Sequence, residues 1–563
     1  MKKTRLFCAL LLLAATAAAA QPSFAQLAVP NPVVSGPITG GVRGTALMAS
    51  YFDLGTWGYL EQEFFTEGTA TAYAANPLTS APYKTRVIVR RPVDPQRFNG
   101  TVYVEWLNVT GGVSLDPDWA VGQRELIRSG YAYVGVDAQA AGVAALKAWD
   151  PVRYATLIHP SDDYSYAIYA QVAKALQAPA GIDLLGGLAA QRVLAMGESQ
   201  SGGRLNDYVN DVHPQLADLC DGFMIGGNDG EITDLANLAV KVLRFNSDFD
   251  VGGDAQPDGP FYRVWEMGGS GHNTYYYSTY ASAVTMRDLG FAFAENDHPP
   301  ACMVNRYPKQ LVFRSVLHHL NQWVADGIAP PSAPHTSFVG GSRELDEFNN
   351  SVGGIRLPAV EVPVATYNNG PACGATAGST QYFDAATLAS LYPTQQAYDD
   401  GVRAAQDAAV AAGFILPADR VQCAAQYFAP LGSDIAISAL DDCDGDTVAE
   451  AVDNCLFTPN TSQADSGGVA SSVADGIGDA CQCGDVTGNG IVNGQDANAI
   501  RRHALGLEPN PLFAVPGNCD VTGNGVCNGQ DANAVKRAAL GEPGPTFGQN
   551  CHNARGIRVP PGL

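Results

Sequence analysis

Basic residues are scarce in this chain. Thirty-three Lys and Arg stand against 56 Asp and Glu, a formal net charge of -23 over 563 residues. Such a surface repels polyphosphate, which speaks against nucleic acid as a partner. Long apolar runs are missing after the first two dozen residues, so no later segment reads as a membrane span. The run that does exist, Leu6 to Ala20, is shorter than the roughly 20 residues a bilayer requires. It follows Lys2, Lys3 and Arg5 and leads to the small residues of Ser23-Phe24-Ala25, the layout of an export signal over residues 1–25 cut ahead of Gln26. Cys8 lies too early, inside the apolar core, to become a lipidated first residue. The mature chain is therefore expected outside the cytoplasm: secreted or extracellular, held at the cell surface, or periplasmic.

Cysteine is sparse over most of the length and crowded at the end, at Cys443, Cys455, Cys481, Cys483, Cys519, Cys527 and Cys551. In an oxidising compartment that crowding predicts disulfide stapling of a region with little core of its own. Of the 12 cysteines, all but Cys8 outlast signal removal, and the odd remainder leaves at least one thiol free or paired with another chain. Lys and Arg vanish altogether from Asp441 to Gln482 while aspartates accumulate, so a boundary falls near residue 440.

Ahead of that boundary, over residues 27–440, strand and helix patterns alternate. Tyr59 to Tyr73, Thr85 to Arg91 and Thr101 to Asn108 read as strands rich in β-branched and aromatic residues, and Gly130 to Asp137 and Arg192 to Met196 as buried ones. Gly222 to Gly226, Val240 to Asn246 and Phe261 to Met267 read as later strands. Asp118 to Ser129, Tyr164 to Leu176 and Leu205 to Leu216 supply the helical crossovers a parallel sheet needs, and a long helix runs from about Gln310 to Asp326. This is the pattern of an α/β fold, the mostly parallel α/β-hydrolase sheet, with an extension from about residue 327.

Within it, the strand ending at Met196 meets Gly197-Glu198-Ser199-Gln200-Ser201-Gly202-Gly203. A serine framed by small residues between a strand and a helix is how a nucleophile elbow presents its hydroxyl, although Ser201 stands where the second glycine of the motif belongs. Serine is a weak nucleophile near neutral pH and needs a histidine as base and a carboxylate to orient it. His272 closes the glycine-rich loop Met267-Gly268-Gly269-Ser270-Gly271 after an aromatic strand, whereas His318 and His319 lie mid-helix and His159 and His298 each precede a proline. Between serine and histidine, Ser247-Asp248-Phe249-Asp250 ends another strand; Asp250 is the preferred acid and Asp248 the alternative. Backbone N–H groups of Gln200 and of Val109, in Asn108-Val109-Thr110-Gly111-Gly112, are placed to hold an oxyanion.

Val104 to Gly112, Tyr133 to Gln139, Gly197 to Ser201, Trp265-Glu266-Met267 with His272, and Gly353 to Pro358 together resemble the large bacterial α/β-hydrolase-domain family of serine esterases. The resemblance covers most of residues 30 to 440 and implies hydrolysis of an ester substrate without naming it, and no cofactor for catalysis. Related sequences often read Ser-Glu-x-Asp where this chain has Ser247-Asp248-Phe249-Asp250, which leaves both carboxylates open as the acid.

Two further segments follow. Residues 441–482, with Asp444, Asp446, Asp453, Asp465, Asp475 and Asp479 among glycine turns and cysteines, resemble thrombospondin type 3 repeats, in which calcium would order aspartates that otherwise repel. In residues 483–551 one sentence is written twice. Asp485, Thr487, Asn489, the Ile491 carbonyl and Asp496 take positions 1, 3, 5, 7 and 12 of a calcium loop, and Asp520, Thr522, Asn524, the Val526 carbonyl and Asp531 repeat them. The tandem loops resemble a type I dockerin, an α-helical module, and imply structural Ca2+ and a cohesin-like partner. From another class, the rival reading is a catalytically silent hydrolase fold serving calcium-dependent adhesion or scaffold binding.

Overall fold

The computed structural model describes residues 26–420 apart from 51–53, 76, 217–218, 292–301 and 371, and beyond them 448, 454–455, 460–474, 477–507, 518–519, 521 and 527–541. The export signal, His298, Asp444, Asp446, Asp453, Asp475, Asp520, Thr522, Asn524 and Val526 lie outside the described residues.

Nine strands form one sheet: β1 (Val33–Ser35), β2 (Tyr59–Ala72), β3 (Thr79–Pro92), β4 (Thr101–Trp106), β5 (Ala132–Val136), β6 (Arg192–Glu198), β7 (Gly222–Gly226), β8 (Lys241–Ser247) and β9 (Tyr262–Met267). Their order is β1-β2-β3-β5-β4-β6-β7-β8-β9. The first four in that order pair antiparallel, and from β5 onward every neighbour is parallel. Parallel neighbours demand crossovers, supplied by α1 (Pro117–Arg128), α2 (Ala140–Trp149), α3 (Ser165–Gln177) and α4 (Gln200–Asp207), and followed by α5 (Tyr275–Leu289) and α6 (Lys309–Asp326).

Alternation along β4 shows how the sheet is buried on both sides. Val102, Val104 and Trp106 join Ile168, Tyr169 and Val172 of α3, while Tyr103 turns to the other face with Trp119 of α1 and Phe313 and Leu317 of α6. Glu105, on that second face, accepts from the N–H groups of Asp118 and Trp119 and so caps the start of α1.

Two differences from the sequence reading have clear causes. The strand expected from Thr85 starts at Thr79, because Pro82 sits on a stretch of β3 that pairs with β2 only and owes no ladder hydrogen bond on its other side. The helix expected at Leu205 to Leu216 instead begins at Gln200, directly after Ser199. It gives way to a π-turn at Tyr208–Val212 and a 3-10 turn at His213–Gln215. The glycines that weakened the helical pattern are there for contact: a Cβ on Gly202 would lie 2.2 Å from the Gly226 carbonyl oxygen of β7.

Beyond α6 the extension contributes short hairpins and helices, among them β10 (Phe338–Val339), β11 (Ser342–Arg343), α7 (Pro358–Glu361), β12 (Ala365–Asn368), β13 (Ser379–Tyr382), α8 (Ala385–Leu391) and α9 (Gln395–Ala411). It grips the sheet end. Ile355 N–H donates to the Glu266 carbonyl at 2.6 Å, Cys302 and Cys373 are disulfide-bonded, and Asp419 accepts from Arg128 and Arg314.

In the C-terminal part, Cys455–Cys481 and Cys519–Cys527 are bonded, and Cys220, in the hydrolase part, is a buried free thiol. Helices Gly494–Ala504 and Gly529–Ala539 start at Asn493 and Asn528 in equivalent capping boxes and share a small core of Val486, Ile500 and Val535. Among the described residues no helix is long and apolar enough to cross a membrane.

Candidate active site

Ser199 occupies the junction of β6 and α4 with φ 63° and ψ -122°, a backbone conformation L-residues adopt only under constraint. The constraint is visible on both sides. Ser199 N–H donates to the Gly226 carbonyl at 2.9 Å, and its own carbonyl accepts from Gly203 N–H at 2.9 Å. Its hydroxyl does not cap the helix it begins, and the residue is partly exposed.

The imidazole, on the loop after β9, reaches the glycine that follows the next strand, β7. A Cβ on Gly227 would lie 2.8 Å from His272 Cε1 and 2.9 Å from Glu198 Oε1, so the glycine after Gly226 is covered by both side chains. His272 Nδ1 and Asp250 Oδ1 are 2.5 Å apart. With Nδ1 donating to the carboxylate, neutral His272 carries its lone pair on Nε2, the form a general base requires. Asp250 sits in a 3-10 turn after β8, where Ser247 donates to Oδ2 from its N–H at 3.1 Å and from its hydroxyl. The two loops are also tied to each other, since Phe249 N–H donates to the Ser270 carbonyl and Asp248 N–H to the Ser270 hydroxyl.

Electrostatics follow from that pairing. Burial disfavours the charged form of both partners, but their mutual attraction and hydrogen bond outweigh it. Asp250 titrates below the ordinary aspartate range and His272 above the ordinary histidine value.

Asp248 is directed elsewhere. It pairs with Arg343 at 3.0 Å and accepts from Ser351 at 2.5 Å and Asn369 at 3.0 Å, all three in the extension. Segment 376–377 of the same extension braces the histidine loop, accepting from Asn273 N–H and lying 3.0 Å from a Cβ placed on Gly271. On the serine side, Asn108 Nδ2 donates to the Glu198 carbonyl at 3.0 Å and brings the 108–112 turn against the elbow. Among the described residues the N–H groups of Gln200 and Val109 donate to nothing.

Two neighbours of the imidazole escaped the sequence reading. Glu198 precedes the serine with its carboxylate beside His272, and Lys309 of α6 donates to Glu198 Oε1 at 2.7 Å. Glu198, Asp250 and His272 are ligand-type side chains with atoms within 4.8 Å of one another, but the Lys309 ammonium already supplies the positive charge there. A lysine opening a helix against the helix dipole is the signal that could have found it.

In the first calcium-type loop, Asp485 and Asp496 are both fully buried. Asp485 accepts from the N–H groups of Gly488, Asn489 and Gly490, and Thr487 Oγ1 lies 3.2 Å from Asp485 and 2.8 Å from Asp496. Burial, with the charge of Asp485 adding to it, raises the pKa of Asp496. Hard oxygens converging with no Lys, Arg or His paired to them among the described residues are a donor set that fits Ca2+. Asn493 and Asn489 are held within the loop, Asn489 Oδ1 accepting from Ile491 N–H. Asp531 lies buried at the matching place of the second loop, and Asp479 accepts from Ser466 instead, while Asp465 lies one position before that serine.

A sheet of this order, with an elbow serine after one strand and a histidine–carboxylate pair on later strand ends, defines an α/β hydrolase. The chain belongs to the alpha/beta hydrolase domain family, whose model matches residues 34–425. A second model, the dockerin type I domain, matches residues 483–540. Among solved structures the chain is similar to esterase Est22 at 15% identity and TM-score 0.23, covering 34% of this chain and 65% of that one. It is also similar to a dienelactone hydrolase from Anabaena variabilis ATCC 29413 at 13% identity and TM-score 0.21, covering 32% and 74%. A third likeness is to an alpha-beta serine hydrolase homologue from Coxiella burnetii, at 11% identity and TM-score 0.23, covering 34% and 84%. No curated protein matches the sequence.

Proposed function

We propose that the protein is a secreted serine esterase that cleaves a carboxylic ester through an acyl-enzyme. Ser199 Oγ attacks the ester carbonyl as His272 Nε2 takes its proton; Asp250 keeps Nδ1–H in place and balances the imidazolium. The N–H groups of Gln200 and Val109 stabilise the tetrahedral oxyanion, His272 returns the proton to the departing alcohol, and water repeats the cycle on the acyl-serine. The observation that carries this reading is the 2.5 Å Asp250–His272 contact, set over the glycine pair that also holds the strained Ser199 backbone.

In the same reading the C-terminal modules bind structural Ca2+ through Asp485, Thr487, Asn489, the Ile491 carbonyl and Asp496 and their counterparts in the second loop, with the aspartates of residues 441–482 adding further sites. The dockerin-type module then docks on a cohesin-type partner outside the cell. Calcium would supply the positive charge that lets these carboxylates converge.

A fluorophosphonate probe tests the enzymatic part. Covalent labelling that maps to Ser199 and competes with a short p-nitrophenyl ester is the expected result. A folded protein that never labels is a silent hydrolase fold, and the reading then falls.

A further inference from the structure

Two charged side chains beside His272 have no part in the acyl-enzyme scheme. Lys309 and Glu198 are 4% and 8% exposed, and an ammonium buried at a helix N-terminus is costly unless something compensates it. Lys309 Nζ has two partners, Glu198 Oε1 at 2.7 Å and the main-chain oxygen of His272 at 3.2 Å. The pair therefore links the strand that carries the serine, the loop that carries the imidazole and the start of α6.

Among the described residues, charged groups face the imidazole from three elements. Asp250 comes from the turn after β8, Glu198 from the end of β6 and Lys309 from α6, while Phe249 lays its ring 5.7 Å from the imidazole. Asp118 of α1 lines the same cleft and faces Glu198 and Lys309. Burial, with Glu105 and Glu198 nearby, keeps Asp118 titrating far above the ordinary aspartate value. An imidazole between two carboxylates holds its proton more firmly than one beside a single carboxylate, and a protonated imidazole accepts nothing from serine. The ammonium on Glu198 offsets the second carboxylate.

We propose that Lys309 is a positioning residue of this site: paired with Glu198 and bonded to the His272 carbonyl, it stops the second carboxylate from locking the imidazole in its charged form. The role rests on the serine esterase reading, and it separates into a charge effect and an anchoring effect. The charge effect is a property of the pair, so it must cancel when both members are removed.

The test is the pH profile of kcat/KM on p-nitrophenyl acetate for K309M, E198Q and the double variant. In parallel, the imidazole is titrated directly by NMR of histidine-labelled protein in the S199A background, with H272N to assign the signal. K309M is expected to move the acid-side midpoint up by about one pH unit, E198Q to move it down by a similar amount, and the double variant to return it close to wild type. A K309M midpoint that stays put, or a double variant displaced as far as K309M, overturns the proposal. Should K309M fail to fold, E198Q alone decides, because a midpoint that does not fall removes the coupling. The NMR titration needs no turnover, so a protein without esterase activity sinks the esterase reading and leaves the charge coupling to be judged separately.

Discussion

In the hydrolase body, buried carboxylates meet basic side chains: Asp137 meets Arg86 at 2.5 Å, Asp116 meets Arg90 at 2.6 Å, Glu198 meets Lys309 at 2.7 Å and Asp419 meets Arg314 at 3.0 Å. In the C-terminal module Asp485 and Asp496 are as deeply buried, yet among the described residues no Lys, Arg or His is paired with either. Burying a charge is expensive everywhere, so the two regions differ in where the compensating charge comes from. For these four the large region carries its own. On the proposed calcium-binding reading the small one, whose described core includes Val486, Val492, Ile500 and Val535, takes it from solution. The chemistry of the first should then be indifferent to calcium, and the fold of the second should depend on it.

The sharpest way to break this contrast is S199A. Turnover of p-nitrophenyl acetate should fall by about 10⁴-fold or more, while the calcium dependence of thermal unfolding stays as in wild type. Next in size is D250N, expected to lower kcat by roughly 10³- to 10⁴-fold through loss of the correct imidazole tautomer. D248N should keep turnover within a few-fold and instead lower the melting temperature, because it loosens Arg343, Ser351 and Asn369. If D248N rather than D250N stops turnover, the assignment of the acid reverses.

A smaller effect follows chelation. Calorimetry should resolve a transition of the C-terminal module that EGTA moves down and D485A removes, worth about 2.7 kcal/mol when free calcium stands at a hundred times its dissociation constant. Ester hydrolysis should not change, and a parallel loss of both would join regions that the contrast separates. Smallest is the pH dependence. Turnover should fall as pH drops through the raised pKa of His272, because the protonated imidazole cannot act as base. In stability the signs differ. The His272 contribution is fully present below its unfolded pKa and is lost as pH rises through the folded value. The Asp250 contribution is present above its unfolded pKa and is lost as pH falls through the depressed one. Urea titrations on each side of neutrality read both.

Much of this was legible in the residue order, for identifiable reasons. Strands buried on both faces announce themselves as apolar runs, which is why β6, β7 and β9 were found within a residue or two. The elbow is written in small residues because only they allow α4 to lie against β7. What stayed hidden depends on contacts between distant segments. Helix α5 opens with three consecutive tyrosines and carries β-branched residues, a composition with weak helical preference, and forms because Tyr277, Tyr280 and Val284 pack into the core. Glu198 stood in plain view beside the serine, but its partner Lys309 lies 111 positions away, and only the closed sheet puts them together.

The clamp on Asp419 bears on how the protein can be taken apart. Arg128 and Arg314 hold the carboxylate almost at the end of the family match, and among the described residues no hydrogen bond, ion pair or disulfide joins residues 26–420 to residues 448–541. On the proposed function, a single proteolytic cut downstream of Arg420 is expected to release an active esterase from its docking module, so that residence at a surface and rate of turnover become separately adjustable traits.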